Sequence, residues 1–190
     1  MRSRDQLRSQ ILSAARAEFA AFGLAGARID RIARAAEASK ERLYAHFGDK
    51  EALFREVAAA DGAEFFRALT VRPEAVPEFV GDVHDLAHRH PEHLRMMMWA
   101  RLEGVRFEQP PGGDPTMPAQ AIAAIRTAQG TGDVDPAWDA EELLVLLLGV
   151  GLAWSHWPDP RSMTDDPIVL QRRRDTAVEA AARMVAARPR

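Results

Sequence analysis

Lys40, Arg42, Tyr44 and His46 alternate along one short stretch, and Lys50 follows four residues later. Lysine and arginine reach guanine edges and phosphates, while tyrosine and histidine hydrogen-bond backbone oxygens. Such a group at the front of a short helix suits the major groove of a DNA duplex. Residue sets for catalysis are not found. The sequence has no glycine-rich phosphate loop, no zinc-protease motif and no nucleophile with a placed base and orienting group, Ser155 and His156 being merely adjacent. The chain is expected not to be an enzyme and to need no cofactor.

The polar set must be held by something apolar. Ile29, Ile32, Ala33 and Ala36 recur at the i, i+3, i+4, i+7 spacing of a helix with one buried face. Glu37-Ala38-Ser39 breaks the pattern, and Ser39 is placed to accept hydrogen bonds from the free N–H groups of a second helix whose Leu43 and Phe47 point inward. Lys40, Arg42, Tyr44 and His46 are then the outward positions. Asp49 reads as the cap of a further helix. Lys50 in its first turn stands beside free N–H groups and the positive end of the helix dipole, a favourable place for a phosphate. Two short helices at a tight turn make a helix-turn-helix.

At this point residues from about 7 to 57 resemble the DNA-binding domain of the tetracycline-repressor (TetR) family of bacterial regulators. The resemblance rests on Phe22-Gly23, on Ile29 to Ala33 as Ile-x-x-Ile-Ala, on Ser39 to Phe47 as Ser-Lys-x-x-Leu-Tyr-x-His-Phe, and on Lys50 to Leu53 as Lys-Glu-x-Leu. It implies base or phosphate contact from Lys40 and Arg42, and phosphate contact from Tyr44, His46 and Lys50. Two features depart from the family pattern. Ala27 and Arg28 stand where a hydroxyl cap and phosphate ligand is usual, which makes Arg28 the substitute phosphate contact. Glu37 stands where the turn usually has glycine, so the turn is expected to be strained or differently shaped.

Charge is divided accordingly. Residues 1–50 carry ten Lys and Arg against six Asp and Glu, net +4, whereas the remainder carries 15 against 22, net −7. A basic module on an acidic body turns one end of the molecule towards a polyanion. With 47% hydrophobic and 28% charged residues, the composition is that of an ordinary globular chain. No cysteine occurs, which excludes disulfides and Cys-ligated metals and fits a reducing cytoplasm, and the polar start Met-Arg-Ser-Arg-Asp-Gln shows no apolar leader. Leu143 to Trp154 is apolar but short of the roughly 20 residues needed to span a bilayer. No membrane association is expected.

Strand patterns are nearly absent, so the expected fold is all-α: an N-terminal three-helix helix-turn-helix domain at 1–50, and a C-terminal helical domain at 51–190 for effector binding and dimerisation. Helices are expected at about 5–22, two in the motif, then 49–69, 77–90, 91–108, 119–129, 136–156 and 167–187. Residues 143–154 are apolar on every face and need cover all round, with the last helix as partner. Two such pairs from two subunits would form a four-helix interface, also implied by the resemblance, with Leu147, Val150, Leu170, Val178 and Ala181 as its candidate residues. Gly149 and Gly151 would permit close approach.

The helix at 91–108 is expected to carry two stripes: Leu94, Met98, Leu102 and Val105 towards a core, and Met96, Trp99, Glu103 and Phe107 towards a cavity. Methionine and tryptophan suit a pocket for an apolar or aromatic compound, to which Phe79, Val83, His84, Trp154 and Trp157 are added as candidates. His84 and His88 have a spacing that can chelate zinc or nickel, but no closed ligand set accompanies them, and no metal is assigned. The expected protein is a homodimeric, cytoplasmic transcriptional repressor of a palindromic double-stranded operator, released by a small-molecule effector. The alternatives are a metal-responsive regulator and a helical binding protein that does not bind DNA.

Overall fold

A computed structural model describes residues 4–105, 117–159 and 164–187. Every regular element among them is helical: α1 Arg4–Gly26, α2 Ile29–Ala35, α3 Lys40–Phe47, α4 Lys50–Arg67, a 3₁₀ turn Pro73–Ala75, α5 Val76–Arg89, α6 Pro91–Leu102, α7 Met117–Thr131, α8 Ala140–Gly151, α9 Ala153–His156 and α10 Pro167–Val185. The all-α expectation holds. Among the described residues no helix is long and apolar enough to cross a membrane.

The chain forms two compact units, and their division differs from a boundary at residue 50. One comprises Met1–Phe65 with His90–Glu108, the other Phe66–Arg89 with Gln109–Arg190. In the first, Leu7, Ile11, Ala15 and Phe19 of α1 form a buried stripe that meets Ile32, Leu43, Leu53 and Phe54. Phe19 and Phe54 pack edge to face with centroids 5.0 Å apart. Phe22, near the end of the same helix, is 48% exposed. Its ring instead carries the Arg31 guanidinium at 4.2 Å, which replaces burial with a cation–π contact.

Helix α6 packs along α1, which explains the different division. Its buried residues are His93, Leu94, Met96 and Ala100, while Met98 and Leu102, expected in the core stripe, are 50% and 75% exposed. The helix is thus rotated from the expected register, and its end at Leu102 breaks the long stripes imagined for it. Gly23 makes the contact possible. Its φ of 65° kinks α1, and a Cβ there would come 2.8 Å from the Trp99 indole. Arg16 of α1 approaches Asp61 of α4 at 2.6 Å and Glu64 at 2.7 Å, and His93 of α6 reaches Asp61 at 2.7 Å. Asp61 is fully buried. Loss of hydration pushes its carboxyl above the usual range, against the opposing pull of His93 and Arg16.

In the second unit α5 packs against α10 and α8, and α7 packs against α8 and the 3₁₀ turn. Arg174 of α10 reaches Glu78 and Asp85 at 3.1 Å and Asp82 at 3.7 Å on α5. It lies across Gly81, where a Cβ would come 2.7 Å from the guanidinium. The far end of α10 is tied by Trp138, whose indole N–H donates to Met184 O at 3.1 Å.

Helix α8 starts at the Asp139 cap and stops at Gly151, short of the expected 156, with the one-turn α9 beyond. Its apolar residues do not all need a second subunit. Leu143, Leu144 and Leu147 are buried within this chain, as is Ala181 of α10. Leu147 and Ala181 are therefore core residues and not interface candidates. Val150, Leu170 and Val178 are half-buried, and the uncovered apolar surface is at Val145, Leu146 and Ile168, exposed by 62%, 43% and 79%. Gly151 admits Val83 of α5, whereas Gly149 meets open space.

Candidate nucleic-acid interface

Helix α2 ends at Ala35, and the chain turns through Glu37, whose φ is 49°. This is the left-handed conformation that glycine would adopt without steric cost, held here by a glutamate. The turn is closed by the Ala38 N–H donating to Ala33 O at 2.9 Å. Ser39 is in extended backbone conformation and its Oγ accepts from the Arg42 N–H at 3.3 Å, starting α3. Leu43 and Phe47 are buried and fix the rotation of α3.

About 100° separates successive residues of a helix, which sorts the remaining positions. Glu41, Arg42 and Ala45 point away from the Leu43–Phe47 line, Tyr44 and His46 form opposite flanks, and Lys40 lies nearest the core side. Lys40, Glu41, Arg42, Tyr44 and Ala45 are exposed, and His46 is half-buried beside Phe47. Glu41 and Ala45 were not among the expected site residues although they are outermost. Plain helical periodicity identifies them. An alanine there lets the helix approach a base edge closely, and a carboxylate accepts from a cytosine amino group.

The neighbouring elements position the rest. Asp49 accepts from the Ala52 N–H at 2.6 Å and starts α4. Half-buried Lys50 donates from Nζ to Ala27 O at 3.4 Å, tying the start of α4 to the residue before Arg28. An ammonium has three donors, so others remain for a phosphate. Lys40 Nζ lies 2.5 Å from Asp30 Oδ1 of α2. The hydrogen bond between them holds Asp30 below the usual carboxylate range and Lys40 above the usual lysine range.

The missing hydroxyl cap before α2 has a replacement that the sequence did not reveal. Arg28 is the N-cap residue, makes no side-chain cap and is exposed. Its N–H donates to Glu18 Oε1 of α1 at 2.8 Å, and the same oxygen takes the Arg31 Nε–H at 2.7 Å. Glu18 thereby satisfies a free donor of α2 from another helix and holds Arg31 against α1.

Residues 11–57 match the family described as bacterial regulatory proteins, tetR family, and residues 75–183 match the tetracyclin repressor-like C-terminal domain. This chain belongs to the TetR family. It is 35% identical over 157 residues to the HTH-type transcriptional repressor SCO4008 of Streptomyces coelicolor, covering 82% of this chain and 80% of that protein. The crystal structure of SCO4942 from Streptomyces coelicolor superposes with a TM-score of 0.80 at 35% identity, covering 93% of this chain and 97% of the other. A TetR family transcriptional regulator from Pseudomonas syringae does so with a TM-score of 0.69 at 25% identity, covering 96% of each chain. Like its family, this TetR-type chain is a DNA-binding regulator of transcription and not an enzyme.

The effector candidates of this TetR-family chain are divided between the two units. Met96 is fully buried and Trp99 partly buried in the core of the first unit. Glu103 is the exposed C-cap of α6, and Phe107 lies outside the described residues. Met96 is thus core, because the rotation of α6 turns it onto α1. In the second unit Phe79, Val83 and His84 are buried on α5, and Trp154 meets the His84 ring edge to face at 5.8 Å. Arg173 lies 6.0 Å from the Trp154 ring, while Trp157 is 65% exposed. The face of α10 that carries Ile168, Gln171 and Asp175 is open, and none of these residues is among the effector candidates.

The histidine pair is not assembled for a metal. His84 Nδ1 lies 3.3 Å from Asp85, and His88 Nε2 lies 3.8 Å from Asp165. The described acidic and imidazole groups close enough to share a cation centre on His93, with His90 and Glu92 or with Asp61 and Glu64. In the second of these Arg16 already lies between the carboxylates.

Proposed function

We propose that this chain is a homodimeric repressor that reads a palindromic operator with α3 and leaves it when a small apolar or aromatic compound binds residues 51–190. The reading rests chiefly on the exposed α3 face, with Ser39 capping its start and Leu43 and Phe47 fixing its rotation. DNA contact is assigned to residues 1–50: Arg42 to a base edge, Arg28, Tyr44, His46 and Lys50 to phosphate. The 35% identity to a transcriptional repressor supports repression as the direction of control.

Two-fold symmetry of operators calls for two copies, and Val145, Leu146 and Ile168 supply an uncovered apolar surface, joined by half-buried Val150, Leu170 and Val178. The effector is assigned to the α5 and α9 aromatic cluster of Phe79, Val83, His84 and Trp154. Its apolar rings and single imidazole suit a flat, weakly polar compound. Release requires that the compound bind better to a state that does not fit two half-sites.

The test is footprinting and mobility shift on DNA flanking the gene, with Arg42→Ala. Loss of about 1 to 3 kcal/mol at one base position per half-site supports base readout. Equal weakening on every duplex places Arg42 on phosphate instead. Leu146→Glu should give monomers in sedimentation with the melting temperature of the folded chain retained. A dimer that survives this change removes α8 from the interface.

A further inference from the structure

Lys40 is the first residue of α3 and lies on its core-side flank, where Asp30 of α2 holds it at 2.5 Å. Both side chains are about half exposed, at 52% and 48%. An exposed pair of this kind is weak and does little for folding. It does more to the ammonium's choice of partner. Two of the three Lys40 donors remain free of Asp30, and a neutral acceptor such as guanine O6 or N7 can take them without disturbing the pair. A phosphate taking them would have to sit beside the Asp30 carboxylate, and like charges at that distance repel.

We infer that Asp30 is a specificity-determining residue that acts through Lys40, turning it from a phosphate grip into a reader of guanine edges. This rests on the proposed DNA-reading role of α3. Arg28 and Arg34 also lower the charge cost of Asp30, so the carboxylate stays ionised among the cations of the DNA-facing end. By cancelling one positive charge per subunit, Asp30 reduces the non-specific attraction that every duplex offers while leaving the base contact intact.

The test uses two duplexes, one selected by the wild-type protein from a random-sequence pool and one scrambled to the same composition. Asp30→Asn frees Lys40 without changing its size. On the scrambled duplex the log–log salt slope should steepen by about 1.8 for a dimer, and binding should tighten. The ratio of selected to scrambled affinity should fall about fivefold or more, the low end of what one base contact carries. Asp30→Glu should keep the wild-type ratio. In a Lys40→Gln background, Asp30→Asn should change neither slope nor ratio. Glu179→Gln, which removes a carboxylate from the exposed Arg183 pair of α10, serves as the charge control and should leave both unchanged.

An unchanged slope and ratio in Asp30→Asn overturns the inference. So does an equal shift in the Lys40→Gln background, which would make Asp30 a general surface charge, and so does weaker binding to both duplexes with normal melting, which would make it a direct support of the contact. A wild-type protein that selects no duplex overturns the DNA-reading role itself, and the inference with it.

Discussion

Arg16 and Arg174 each fasten helices of one unit through carboxylates, at different depths. Arg16 bridges α1 to Asp61, which is fully buried and shared with His93. Arg174 bridges α10 to Glu78, Asp82 and Asp85, each 43% exposed. The chemistry is the same, but the dielectric around it is not. A buried carboxylate deprived of its cation is left with an uncompensated charge, whereas exposed carboxylates deprived of theirs are rehydrated. The number of ion pairs therefore says little about which unit depends on them.

The largest effect should come from Arg16→Ala, with a loss of about 3 to 5 kcal/mol in urea unfolding at neutral pH. The pH dependence sharpens this. A carboxyl whose pKa is raised on folding contributes stability that is fully present below the unfolded value of 3.8 and is lost as pH rises through the raised value. The deficit of Arg16→Ala should therefore shrink as pH falls towards that value. A deficit that does not change with pH would mean that Asp61 is compensated by His93 alone.

Next is Leu147→Ala in the second unit, where apolar burial and not pairing carries the load. A cost of about 2 to 5 kcal/mol is expected from the fully buried leucine, and almost none from Leu146→Ala in the same helix turn when both are measured at concentrations where the chain is monomeric. Equal costs for the two would break the distinction between the inner and outer faces of α8. The smallest effect should be that of Arg174→Gln, about 1 kcal/mol and fading with added salt, read from the same denaturation curves. A salt-independent loss as large as that of Arg16→Ala would erase the contrast between the units.

The sequence was most legible where local rules act alone. Ser39 and Asp49 as caps, the inward Leu43 and Phe47, and the turn at Glu37 depend on residues within one or two helical turns, and each is found in place. Contacts across the chain were not legible. Glu18 takes over the cap of α2 from ten residues away, and the burial of Met96 depends on α6 meeting α1. Periodicity gave α6 two plausible stripes, and only the packing against Gly23 and Ile11's helix selects a third rotation. In α8 an all-round apolar sequence concealed which leucines face α5. That choice is made by the close approach of Val83 to Gly151.

The seat of Trp99 on Gly23 has an optical consequence. Of the four tryptophans, Trp99 alone belongs to the first unit, while Trp138, Trp154 and Trp157 belong to the second. A chain with the other three changed to phenylalanine would carry one indole, in van der Waals contact with the kink of α1. Its emission would follow the opening of the DNA-binding unit without interference from the other, and would time that opening separately in stopped-flow unfolding.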